Sequence, residues 1–366
     1  MYHPVKEKNM KDLTEYRRQL WVHPQLKFLF FEMTDQCNLN CLHCGSRCTG
    51  KNRTYLDFDL MKRVMCSVAD RYDPYKIMIS ITGGEPMLHP DIYKTVMAAH
   101  KLGFPVGMTS NGTMINERAA KALAFAGLDT IAISLDGIED THDAFRQSPG
   151  SFSRAMHGVH ALRAVGIEAQ AITVIHRKNI HQLDEMFDFF RSDGFYSWRL
   201  VNIEPIGRAK DNSDLMLNPT ELRYLLDFIR EKRFDNDNEM DVTYGCSHFL
   251  TYDYEREVRD FYFQCAAGTQ VASIMADGNI AACLDIERRP ELIQGNAYED
   301  DFIDVWENRF KIFRYDRTGD SRKCSGCKYR NVCMGDSVHT WNYDENEPSY
   351  CLMNVLTKHE VQTRNV

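Results

Sequence analysis

Six short apolar stretches recur between residues 26 and 204, separated by helix-like segments, and this alternation restricts the chain to an α/β fold built on a parallel sheet. They are LKFLFFEMT (26–34), KIMISITG (76–83), FPVGMTSNG (104–112), DTIAISLDG (129–137), IEAQAITVI (167–175) and SWRLVNIE (197–204). Rich in β-branched and aromatic residues and nearly continuous in apolar character, they suit strands buried on both faces. Between them, DLMKRVMCSVADRY, PDIYKTVMAAHKLG, NERAAKALAFAG and SFSRAMHGVHALRAVG read as helices, several closed by a glycine suited to a C-cap. Periodicity alone leaves a parallel barrel and a doubly wound sheet both open.

After NPTELRYLLDFIREKRF, a helix capped near Asn218, the character of the chain changes. Residues 235–366 have weaker periodicity and hold seven of the twelve cysteines, which points to a small, irregular, metal-organised domain. The expected organisation is an N-terminal extension (1–25), a β/α domain (26–234) and a C-terminal domain (235–366). The first twenty residues are polar and charged, and no stretch reaches the roughly 18 apolar residues of a membrane span, so neither membrane nor export is expected. In a reducing cytoplasm, cysteines serve as metal ligands or reactive thiols rather than disulfides. A net charge of −8 with no offsetting basic patch argues against a nucleic-acid partner.

Cys37, Cys41 and Cys44 form a C-x3-C-x2-C set on the loop leaving the first strand. Loops at the carboxyl ends of parallel strands are where sites are built. Three thiolates can hold three irons of a [4Fe–4S] cube and leave the fourth iron open. Zinc, with Cys48 or His43 as a fourth ligand, satisfies the local spacing as well.

With three further stretches, the chain resembles the radical S-adenosylmethionine (SAM) superfamily. GGEP (83–86), SNGT (110–113) and SLDG (134–137) end the second, third and fourth strands. The resemblance implies a partial (β/α)6 TIM-like barrel whose [4Fe–4S] cluster, on Cys37, Cys41 and Cys44, cleaves SAM to a 5′-deoxyadenosyl radical. It also implies that Gly83, Gly84 and the Glu85 side chain meet the SAM amino group. By the same resemblance, Ser110, Asn111, Ser134 and Asp136 are expected to make further cofactor contacts, and Arg146 to pair with the SAM carboxylate, a task for a planar bidentate donor. His43 reads as a loop or packing residue, and Cys48 and Cys66 as non-ligating.

Cys265-x12-Gly278-x4-Cys283, then Cys324-x2-Cys327-x5-Cys333 and Cys351, resemble the SPASM domain of peptide- and protein-modifying enzymes, a small irregular α+β iron–sulfur unit. The resemblance assigns Cys324, Cys327, Cys333 and Cys351 to an outer auxiliary [4Fe–4S] cluster, and Cys265 and Cys283 to an inner one. Where that pattern has a further cysteine, this chain has Ser337. Cys246 is a possible third inner ligand; Ser337 or Asp336 could supply oxygen, or the inner cluster could be missing. Zinc knuckles remain the alternative for CSGC with Cys333.

The expected activity is net two-electron oxidation of a peptide or protein, forming a thioether or carbon–carbon cross-link or an oxidised side chain. Asp285 is the candidate base, one residue beyond the place, here Leu284, where sulfatase-maturing relatives carry an aspartate. Expected partners are the substrate, an electron donor such as flavodoxin or ferredoxin, and a separate leader-recognition protein. The alternatives are a tetrapyrrole enzyme acting on propionate side chains, since KCSGCKYRNVC also resembles such proteins, and a non-enzymatic zinc-knuckle binding protein.

Overall fold

Six parallel strands occupy the six apolar stretches: β1 (Phe28–Glu32), β2 (Met78–Thr82), β3 (Val106–Ser110), β4 (Thr130–Ser134), β5 (Ala169–Ile175) and β6 (Ser197–Asn202). They come from a computed structural model that describes residues 3–363. Each strand pairs with its successor, from Phe28 opposite Met78 in the first pair to Ile175 opposite Asn202 in the last. After an N-terminal helix α1 (Pro4–Val22), the crossovers are α2 (Phe58–Arg71), α3 (Ile92–Lys101), α4 (Glu117–Ala126), α5 (Asp140–Arg146), α6 (Ser151–Arg163) and α7 (Leu183–Asp193), and α8 (Pro219–Phe234) follows β6. The fold is the partial barrel, with the strands' carboxyl ends gathered on one side.

Local sequence explains the helices. Asp57 caps α2 by accepting from Leu60 N–H, and the helix buries Leu60, Met61, Val64, Met65 and Val68, a stripe at i, i+4 spacing. In α8, Asn218 and Glu221 form a reciprocal capping box across Pro219, the first helical residue. Gly127 closes α4 at φ 90°, in the left-handed region.

The sheet does not stop where the composition changes. β7 (Asp241–Tyr244) adds in parallel to β6, and β8 (Val271–Ile274) adds in parallel to the other side of β1. β9 (Asn279–Ala281) and β10 (Gly295–Asn296) continue antiparallel from β8, giving ten strands in all. These additions cover edges that β1 and β6 would otherwise expose. At two to four residues each, they are too short to show a period.

The remaining C-terminal segment is irregular, with short helices α9 (Phe302–Asn308) and α10 (Arg330–Cys333), the two-residue strands β11 (Trp341–Asn342) and β12 (Glu347–Pro348), and helix α11 (Leu352–Thr363). The N-terminal extension braces it: Thr14 Oγ1 donates to Asn331 O and Arg17 Nη1 to Val332 O, both at 3.0 Å. Among the described residues no helix is long and apolar enough to cross a membrane.

Candidate active site and metal centres

The loop leaving β1 is held to the loop leaving β2 by Gly84 N–H to Thr34 O (2.7 Å) and Glu85 N–H to Gln36 O (2.9 Å). A Cβ on Gly84 would stand 2.1 Å from Gln36 O, so only glycine allows this approach. The arrangement puts Cys37, Cys41 and Cys44 around one cavity of about 400 Å³ at the strand ends. Cys37 and Cys41 are buried and Cys44 is half-buried. Burial pushes the Cys37 thiol up to about 12, whereas a hydrogen bond from Cys48 pulls Cys44 below the usual thiol range.

Gly83, Gly84, Ser110, Asn111, Ser134, Asp136 and Arg146 line the same cavity. Glu85 is fully buried, and its carboxylate accepts from Ser110 Oγ (2.7 Å), Asn111 N–H (2.8 Å) and Met87 N–H (3.1 Å). Those bonds position the β3 loop, and a carboxylate with three donors keeps capacity for a fourth. Asn111 in turn donates to Asn38 Oδ1 (2.9 Å), tying β3 to the cysteine loop.

Arg146, at the end of α5, pairs through Nη2 with Asp136 Oδ2 at 2.6 Å and donates through Nη1 to Cys41 Sγ at 3.5 Å. Burial works against charge on both partners, yet the pairing holds Asp136 below the usual carboxylate range and raises Arg146 above its own. Arg146 Nε has no hydrogen-bond partner among the described residues. His43 stacks flat on Phe145 (4.7 Å, 4°), which packs on His176 (3.8 Å), and it lines the cavity as well.

Sequence reasoning missed a clamp after β6. Arg208 donates from Nε to Cys41 O (2.7 Å) and from Nη1 to Cys48 O (3.0 Å), and its backbone N–H reaches Cys44 O (3.0 Å). Gly207, at φ 53°, passes so close that a Cβ would lie 2.3 Å from Cys44 O. Asn212 Nδ2 adds a bond to Leu42 O (3.1 Å). The only sequence signal was a glycine before an arginine just beyond a strand.

A second chamber of about 660 Å³ opens beside the first, and the two share Gly45, Ser46, Leu284 and Asp285 as a common wall. Asp285 lines both and its side chain is exposed to the solvent they hold. Cys324, Cys327, Cys333 and Cys351 line one cavity, as a shared ligand set requires. Ser337 Oγ lies 3.9 Å from Cys265 Sγ, while Cys283 lines the first cavity. Cys246 is buried with its thiol on Asn202 O (3.8 Å) and against Tyr244 and Glu204.

Residues 31–190 match the radical SAM superfamily, and residues 265–328 match SPASM, an iron–sulfur cluster-binding domain. Mycofactocin maturase MftC of Mycobacterium tuberculosis is 30% identical over 315 residues, covering 84% of this chain and 77% of its own. The chain belongs to the radical SAM superfamily. An AdoMet-dependent heme synthase of Methanosarcina barkeri is 26% identical over 350 residues, covering 89% of this chain and 96% of its own. In fold, the radical SAM chain is similar to Streptococcus suis SuiB bound to S-adenosylmethionine, with a TM-score of 0.74 at 20% identity, over 91% of this chain and 78% of that one. It is therefore an enzyme that uses SAM, a [4Fe–4S] cluster and auxiliary iron–sulfur ligation, and the zinc-knuckle binding module is set aside. The residues fit that chemistry: three sulfurs converge on one cavity, and Arg146 carries an unpaired buried N–H at its wall.

Proposed function

We propose that this radical SAM enzyme oxidises a side chain or forms a cross-link in a peptide or protein held in the second chamber. When bound, the cluster and SAM supply a hydrogen-atom abstractor, and an auxiliary cluster supplies an acceptor for the electron left on the substrate. Cys37, Cys41 and Cys44 hold the first cluster. Gly83, Gly84, Ser110, Asn111, Ser134, Asp136 and Arg146 form the SAM cradle, Arg146 offering its free N–H to the carboxylate. Asp285, on the wall common to both cavities, takes the substrate proton, as a carboxylate within reach of the reacting group can. Cys324, Cys327, Cys333 and Cys351 hold the outer cluster. A flavodoxin- or ferredoxin-like donor supplies the first electron, and a separate protein presents the leader.

The charge state of the chamber carries this reading. Its lining cations are paired: Arg47 with Asp211 (2.6 Å), Lys210 with Glu287 (3.6 Å) and Arg288 with Glu32. With Asp285, Glu287 and Asp344 on the same wall, the chamber carries no excess of positive charge, which suits a peptide segment better than a tetrapyrrole bearing several anionic propionates. The second reading, propionate decarboxylation, is favoured by the match across 96% of the M. barkeri heme synthase.

One anaerobic incubation separates them: enzyme, SAM and reductant with a small peptide encoded beside the gene, or with a propionate-bearing iron tetrapyrrole. Loss of two hydrogens from the peptide with release of 5′-deoxyadenosine supports the maturase. Loss of carbon dioxide and two hydrogens per propionate from the tetrapyrrole, with the peptide unchanged, overturns it.

A further inference from the structure

Three segments far apart in sequence converge beside the second chamber. Glu204 lies two residues beyond β6, His248 four residues beyond β7, and His339 in the short helical turn Val338–Thr340 that leads into β11. Both histidines turn the same nitrogen to the same carboxylate: His248 Nε2 lies 2.9 Å from Glu204 Oε1, and His339 Nε2 lies 2.7 Å from Glu204 Oε2. The ligand atoms of the three residues lie within 4.8 Å of one another. We propose that Glu204, His248 and His339 form a mononuclear site for a first-row divalent transition ion, zinc or ferrous iron, separate from the iron–sulfur clusters.

The donor set is the first reason. Two imidazoles and one carboxylate are what zinc and non-haem ferrous sites use, and neither softness nor geometry calls for sulfur here. The surroundings are the second. A ligating histidine is normally anchored through its other ring nitrogen. Here His248 Nδ1 meets Asp336 Oδ2 at 3.0 Å, and His339 Nδ1 meets Ser337 Oγ at 2.8 Å. Both rings are thereby oriented with Nε2 toward Glu204.

Burial and access complete the case. His248 is fully enclosed, and the Glu204 and His339 side chains are only 10% and 12% exposed, so two carboxylates, Glu204 and Asp336, are concentrated in a poorly solvated place. His339 alone of the three lines the chamber and gives an ion a way in. A purely structural role would need only His248 between its two carboxylates. It would leave unexplained why His339 addresses the second oxygen of the same glutamate.

Ser337 acquires a meaning in this scheme. At the position where a cysteine would complete the SPASM pattern, the chain has a hydroxyl that accepts from or donates to His339, so the departure from a thiolate set coincides with an oxygen–nitrogen site beside it.

The test uses anaerobically reconstituted holoenzyme, desalted and given one equivalent of Zn²⁺. Metal analysis should find one zinc per chain above the iron complement, with X-ray absorption showing a nitrogen and oxygen shell at about 2.0–2.1 Å. Glu204→Gln and His339→Gln should weaken zinc binding more than tenfold with the iron count and brown colour unchanged. Ser337→Ala should weaken it about 10- to 100-fold by releasing one imidazole. The retained colour shows that the variants are folded. The proposal is overturned if no zinc is retained, if the shell is several sulfurs at about 2.3 Å, or if zinc survives in Glu204→Gln. It is equally overturned if His339→Gln loses about four irons, since His339 would then serve a cubane.

Discussion

Arg146 and Asp136 form a buried ion pair, 2.6 Å from Nη2 to Oδ2, at the wall of the cavity that Cys41 also lines. It links α5 to the carboxyl end of β4 and holds a guanidinium ready beside the three cysteines. Removing one partner strands the other charge in the interior, which costs about 3–5 kcal/mol. Arg146→Met should lower stability by that order in anaerobic urea unfolding and abolish 5′-deoxyadenosine release. Adding Asp136→Asn should restore most of the stability without the activity. A wild-type urea midpoint for Arg146→Met would show that the pair contributes no stability.

The clamp from the β6 loop should matter to the first cluster alone. Gly207→Ala places a methyl group against Cys44 O and forces a positive φ on a residue with a side chain. The loop must then lift away, and with it the hydrogen bonds from Arg208. The variant should reconstitute with about four fewer irons per chain while the outer cluster is retained. Iron analysis together with electron paramagnetic resonance of the reduced protein reads both.

Acid sensitivity should come partly from His142, which is neutral in the fold because Asp136 N–H donates to its Nδ1 at 3.0 Å. Burial lowers its pKa from 6.5 to about 4. Between those values the unfolded chain binds the proton and the folded chain does not, so stability falls as pH drops through 6.5 toward 4 and is unaffected above. From pH 7.5 to 5.5 the loss is about 1.3 kcal/mol. His142→Asn, which keeps an acceptor for that N–H, should reduce the change in urea midpoint between the two pH values by this amount. An unchanged slope would remove His142 from the account.

Ser337→Cys should turn the inner site toward sulfur. The new thiol would lie about where Ser337 Oγ now stands, 3.9 Å from Cys265 Sγ. Iron content is expected to rise from about 8 to about 12 per chain on reconstitution, since a cubane carries about four. An unchanged count would mean that Cys283 or Cys246 lies too far off to complete it.

The strand positions were legible because each β-strand of the central sheet is a self-contained apolar run, and hydrophobicity is a local property. The cysteine loop was legible for the same reason: Cys37, Cys41 and Cys44 lie within eight residues of one another. The hydrogen bonds of Glu85 were not legible, because the motif locates the residue but not its rotamer, and Ser110 and Asn111 lie a strand away. The strands β7 to β10 were invisible, being too short to show a pattern and called into existence by edges they cover.

By itself the sequence determined the parallel sheet, the three-cysteine loop at its mouth and the four outer cysteines, since burial pattern and ligand spacing are written within short windows. Tertiary structure decided the pairing of Arg146 with Asp136, the clamp of Gly207 and Arg208 on the cysteine loop, and the meeting of Glu204, His248 and His339. These are contacts between residues from ten to more than a hundred positions apart. Their partners are set by how the loops close over the strand ends, and no local pattern of residues encodes that closure.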